Sequence, residues 1–161
     1  MTVGHHRLEQ PMRAEDILDA VRRHLTARHV CTLATSHGDV PWAASCFYVC
    51  RDLDLYICQR KDARTLANLL ANPRAAFALD DRKTEAWLQG FGRAAVVAGD
   101  EEAWAREQLQ VAAPEFVRHF SNPEYPVLRI HAELLHFADR PNKIRSHLIL
   151  REGGWGFADA T

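Results

Sequence analysis

No apolar run in these 161 residues approaches the length that a bilayer requires. The opening MTVGHHRLEQPM lacks the apolar core of a secretory signal, so cytoplasmic residence is the expectation. An excess of one charge is missing too. Twenty Lys and Arg face 21 Asp and Glu, for a formal net charge of -1, so no overall basic field recruits nucleic acid or an anionic membrane. Cysteine is sparse. Cys31, Cys46, Cys50 and Cys58 form no Cys-x-x-Cys pair and all fall inside predicted strands, where thiols behave as small apolar groups. The nine histidines are scattered without metal-ligand spacing, and His5 and His6 lie at the very start, so no metal site is expected. No Ser-His-Asp or Cys-His arrangement emerges from spacing, and Asp80-Asp81 belong to a solvated turn. Chemistry, if there is any, must come largely from a cofactor.

The length and a normal apolar fraction suit one domain across 1–161 with a real core. Residues 29–97 contain β-like runs, HVCTLATS, VPWAASCFYVC, LYIC, RAAFAL and TEAWLQGFGRAAVV, punctuated by His-Gly-Asp, Arg-Asp-Leu-Asp and Asp-Asp-Arg-Lys. Antiparallel strands joined by tight turns follow. Residues 125–137 alternate well enough for a sixth strand, and from Ala138 onward the chain reads as a polar tail, 138–161. Helices flank these strands. Residues 14–27 put Ile17, Leu18, Val21 and Leu25 on one stripe, with Glu15, Asp16, Arg22 and Arg23 opposite. Residues 62–71 carry Asp62 at a plausible N-cap, with Leu66, Leu69 and Leu70 as the buried side. A third helix opens at Gly99-Asp100-Glu101-Glu102 and runs through Val111, packing through Trp104, Leu109 and Val111, and a short fourth begins at Pro114. The fold class read from this order is mainly β with flanking helices, a small antiparallel barrel of about six strands.

Between the third β run and the second helix lies Gln59-Arg60-Lys61-Asp62-Ala63-Arg64-Thr65. Cations and hydroxyls at a helix start are what an anionic phosphate needs. On strand five, Trp87 and Gln89 alternate with Leu88 and so share a face, while Gly90 and Gly92 permit close backbone approach or a bulge.

This order resembles the pyridoxamine 5'-phosphate oxidase-like, FMN-binding split-barrel family. The residues that carry the likeness are Gly38 and Pro41 in a turn, Tyr56, then Arg64, Leu66, Leu69, Asn72, Pro73 and Arg74 in RTLANLLANPRA, and the WLQGFGRA run from Trp87 to Ala94. The resemblance implies a six-stranded antiparallel split β-barrel and a homodimer whose groove holds FMN, with a small molecule or reduced nicotinamide as reaction partner. It implies that Arg64 grips the FMN phosphate. Thr65 stands where the family often has Lys, so Lys61 or Arg60 is the candidate replacement cation beside Gln59. The same resemblance runs the second strand, with Ser45 and Cys46, along the isoalloxazine ring and brings Trp87 and Gln89 to it. In the tail, Asp139-Arg140-Pro141-Asn142 resembles the family's closing motif, but Lys143, Arg145 and His147 replace its Arg-x-His-x-Arg order. The implied function is an FMN-dependent oxidoreductase rather than a true pyridoxamine 5'-phosphate oxidase, with Lys143 and Arg145 as further basic contacts. A non-catalytic flavin- or haem-binding protein is the alternative, in which His131, His136 or His147 would serve haem.

Overall fold

The computed structural model describes residues 12–158. Its helices are α1 (Ala14–Thr26), α2 (Arg64–Ala71), α3 (Gly99–Ala112) and α4 (Val117–Phe120), the last preceded by a 3-10 turn over Pro114–Phe116. The strands are β1 (Val30–His37), β2 (Val40–Phe47), β3 (Val49–Arg51), β4 (Asp54–Cys58), β5 (Arg74–Asp81), β6 (Ala86–Val96), β7 (Val127–Asp139), β8 (Ile144–Arg151) and β9 (Gly154–Phe157). No described helix is long and apolar enough to cross a membrane.

All strand pairs are antiparallel, in the order β2-β1-β5-β6-β7-β4-β3. Strand β7 is long enough to serve three neighbours. Its first half pairs with β4, its second with β8, and β6 runs beside both. The sheet curls until β2 approaches β4, which makes a split β-barrel with β2 as a free edge.

Nine strands form among the described residues where six were expected, for two reasons. The expected second strand breaks at Tyr48, whose N–H donates to the His29 carbonyl and whose hydroxyl donates to the Leu25 carbonyl at 2.8 Å. That inward anchor separates β2, which pairs with β1, from β3, which pairs with β4. The supposed polar tail also folds. Ile144 and Leu148 are buried and Trp155 packs against the core, so β8 and β9 form a hairpin with Gly154 at φ 102 in its turn.

The inner faces of the strands and the apolar stripe of α1 form one core, in which Ile17, Leu18, Val21 and Leu25 are buried beside Leu33, Phe77, Leu88 and Phe137. Each such aliphatic side chain contributes roughly 1.5–3 kcal/mol on full burial, an upper figure because the unfolded chain is itself partly collapsed. Four of them hold α1 in place. A smaller cluster under α3 joins Val49, Tyr56, Leu109, Phe120 and Val127.

Three helix details differ from expectation. The N-cap of α2 is Ala63, because the Asp62 carboxylate is drawn to Arg60 at 2.6 Å. Leu70 is 66% exposed, since the buried side of α2 is Thr65, Leu66, Asn68 and Leu69, with the Asn68 amide donating to Thr35 Oγ1 at 3.0 Å. Val111 is 74% exposed on the outer side of α3, and Ala105 and Leu109 do the packing.

Candidate functional site

Because β2 pairs on one side only, its outer edge offers unpaired backbone groups. Helix α2 lies across β1 and β2, with Asn68 and Asn72 tying it to Thr35 and Ser36 of β1. Its first turn therefore stands over the edge strand. Between them opens a solvent-facing cleft of roughly 400 Å³. Ser45, Cys46, Gln59, Arg64 and Thr65 all line it, so the structure brings together five of the candidate residues.

The charges in the basic turn are not equivalent. Arg60 is closed on Asp62, and Lys61 Nζ reaches Glu124 at 3.0 Å and does not line the cleft. Arg64 has no carboxylate partner among the described residues and instead lies over the Trp42 ring, 4.9 Å from its centroid. It is the uncompensated cation of the cleft among the described residues. Thr65 is buried at the cleft wall, and its hydroxyl oxygen accepts a hydrogen bond from Trp42 Nε1 at 3.2 Å. Trp42 was missed from sequence. It stands two residues before Ala44 and four before Cys46 on the face turned toward α2, and that alternation was the signal available.

The thiols do not look nucleophilic. Burial pushes Cys46 up from its ordinary range, and its cross-strand neighbour Cys31 is pushed up to about 12 by burial and then by Cys46. The Gln59 amide donates to Cys46 Sγ at 3.5 Å, which aims Gln59 along the cleft wall.

Trp87 and Gln89 lie elsewhere. They border a second cleft of roughly 510 Å³ on β5 and β6, with Asp80, Arg82, Glu85 and Arg140 around it. Strands β1 and β5 separate them from β2. Register nevertheless links the two places, since Ser45, Thr32, Ala78, Gln89, His136 and His147 are opposite one another in turn across six strands. Directly opposed residues share a face, so this row runs over the outside of the barrel. Lys143 sits at φ 55 in the β7–β8 turn and Arg145 opposite Ala138, both exposed and outside the first cleft. His136 and His147 stack at 4.1 Å with 15° between their planes, and His136 Nε2 is buried without a partner among the described residues. Burial, then His147 and Arg145, lower the His136 pKa. His131 pairs with Asp54 at 2.8 Å.

A profile of the pyridoxamine 5'-phosphate oxidase family matches residues 17–139. A Yersinia pestis UPF0306 protein is 32% identical over 100 residues, covering 58% of this chain and 67% of that protein. Among solved structures, a putative pyridoxamine 5'-phosphate oxidase from Listeria innocua superposes with a TM-score of 0.64 at 20% identity, covering 75% of this chain and 97% of that one. A haem-binding protein from Mycobacterium smegmatis gives 0.65 at 24% identity over 80% of this chain. The chain spans only 55% of that protein's length.

Proposed function

Since this chain belongs to the pyridoxamine 5'-phosphate oxidase family, we propose that it is a homodimeric flavoprotein that holds FMN at the β2–α2 cleft and acts as an oxidoreductase on a small molecule. The observation that carries this reading is Arg64, a guanidinium left without a carboxylate at the wall of a cleft, beside the Thr65 hydroxyl. A planar pair of donors suits the oxygens of a phosphate monoester. The residues present therefore fit the phosphate end of FMN, and the free edge of β2 fits the hydrogen-bonding rim of a flavin ring. When bound, FMN would supply the two-electron chemistry. Arg64 and Thr65 would bind and orient it, and the protonated Cys46 thiol and Ala44 would keep one side of the cleft apolar. The lost Arg-x-His-x-Arg order in the tail argues against pyridoxamine 5'-phosphate as the substrate.

The outer face of the sheet supports the dimer reading. Ala34, Ala43, Ala76, Ala78, Phe91 and Leu134 make a low surface of small and apolar residues across β2, β1, β5, β6 and β7, with Arg74 lying over the Phe91 ring at its margin. A second copy is the occupant that would cover it and let Trp87 and Gln89 reach a ring held at a neighbouring β2 edge. Haem is the second reading, favoured by the unpartnered His136 nitrogen on that same face. The absorption spectrum of purified protein separates the two, with a flavin's paired bands set against a Soret band.

The direct test is Arg64→Ala. A charge-assisted hydrogen bond is worth about 1.5–3 kcal/mol and 1.4 kcal/mol is tenfold in affinity, so FMN binding should weaken roughly ten- to a hundredfold. Riboflavin, which lacks the phosphate, should bind both proteins alike. Equal FMN affinity in the two folded proteins would remove Arg64 from the site.

A further inference from the structure

We infer that Trp42 is a positioning residue that sets the direction of the Thr65 proton and the plane of Arg64, so that both donors face a phosphate monoester in the β2–α2 cleft. This rests on the phosphate reading of that cleft and adds a residue that the reading does not require.

The argument begins with a hydroxyl. Thr65 is 3% exposed, and its hydroxyl oxygen can accept two hydrogen bonds and donate one. Trp42 Nε1 is a donor with no acceptor capacity, so its 3.2 Å contact fixes Thr65 Oγ1 as acceptor. The Thr65 proton is thereby turned away from Trp42. Among the described residues no acceptor takes that proton, although the side chain lines the cleft. A buried hydroxyl with an unused proton costs free energy unless a ligand or water accepts it. An anionic oxygen in the cleft is the acceptor that would gain most, because hydrogen bonds to charged groups are the stronger ones.

The same indole does a second task. The Arg64 guanidinium lies 4.9 Å from the Trp42 ring centroid, within cation–π range. An exposed arginine otherwise samples many rotamers, and ordering it on binding costs free energy. Resting it on a fixed ring removes part of that cost beforehand. Trp42 is itself fixed, since β2 holds its backbone opposite Thr35 and Thr65 holds its nitrogen. One side chain thus aims two phosphate donors from two different elements.

The experiment uses full-length protein, with FMN, riboflavin and inorganic phosphate as probes. Trp42→Phe keeps a ring for Arg64 and removes the indole N–H, whereas Trp42→Leu removes both. Thermal melts and far-ultraviolet circular dichroism report folding. Trp42→Phe should weaken FMN about three- to tenfold, Trp42→Leu further, and neither should change riboflavin affinity. In a Thr65→Val background, which has no hydroxyl to aim, Trp42→Phe should cost nothing more. An additive loss in that double variant, or an equal loss for riboflavin, overturns the inference in favour of simple ring stacking, as does an unchanged FMN affinity. Inorganic phosphate should alter the tryptophan emission of wild type and not of Trp42→Phe. Phosphate binding without FMN binding would retire the flavin reading and keep Trp42 in its role, and binding of neither would retire both.

Discussion

Mild acid should destabilise this protein before its carboxylates begin to titrate, and His24 is the reason. It sits on the buried side of α1 at 6% exposure, edge-on to Phe137 at 5.4 Å, with Nε2 unpartnered. Burial, followed by the nearby Arg28 cation, lowers its pKa from 6.5 to about 4, against a weaker opposing pull from a hydrogen bond with the Leu79 backbone. The folded state therefore keeps His24 neutral while the unfolded chain takes up a proton below about pH 6.5. Stability falls as pH drops through 6.5 and levels off below about 4. One pKa unit corresponds to about 1.4 kcal/mol, so the shift gives about 2 kcal/mol lost between pH 7 and pH 5 and about 3 kcal/mol by pH 4. Carboxylates held down by cations, such as Asp81 beside Arg28, lose their contribution only at lower pH, so the window from pH 7 to 5 isolates histidine. His136 is lowered too and adds loss of the same sign there. Urea melts of wild type and His24→Gln at pH 7 and pH 5 give the assay. The variant should start less stable at pH 7 and lose about 2 kcal/mol less on going to pH 5. Equal losses in the two proteins would refute the assignment of the acid response to His24.

Two further outcomes follow from packing. A Cβ added at Gly90 would run into the Phe77 ring, so Gly90→Ala should destabilise by about 1–3 kcal/mol in denaturant melts. Adding Phe77→Leu should recover part of that loss, and an additive double variant would show the clash is not the cause. Ala76→Arg, on the exposed face of β5 between Ala34 and Phe91, should keep the native circular dichroism spectrum while its melt loses the stabilisation that association contributes. It should reduce the mass in light scattering from twice 18.3 kDa to once, and an intact dimer would move the interface to another face.

The sequence carried the barrel because its β runs are regular and its turns carry distinct residues. The apolar stripe of α1 was read correctly down to Ile17, Leu18, Val21 and Leu25, since helical period and burial agree there. The tail was not legible, because LILREGGWGF is short, its alternation is interrupted, and β8 exists only through pairing with the second half of a thirteen-residue β7. Composition could not foresee that β7 would outrun β4 and need a second partner. The break at Tyr48 was hidden for a related reason. A tyrosine is a good strand residue, and only the Leu25 carbonyl at the end of another element turns it inward. In the cleft, residue types were legible and their alliances were not. Arg60, Lys61 and Arg64 are alike as letters, and a count of cations could not tell which would keep a free charge.

That sorting of charge bears directly on the site. Three cations face two carboxylates in the turn, Asp62 from the turn itself and Glu124 from the loop after α4. The loop is held by Arg106, whose guanidinium is only 14% exposed and donates to the carbonyls of Phe120, Asn122 and Tyr125. A buried arginine with several carbonyl partners is costly to displace, so Glu124 is kept near Lys61 by a rigid anchor rather than by the ion pair. The pair itself joins two exposed side chains, and such pairs contribute little to stability. Lys61 is thus parked weakly beside a firmly placed carboxylate, while Arg64 is directed by an aromatic ring and has nothing to give up before it meets an anion. Thr65 follows Arg64 at the helix start, and its hydroxyl accepts from the same ring that Arg64 lies over. In the proposed phosphate site, one charge and one oriented proton, both set by Trp42, would do the work of two charges.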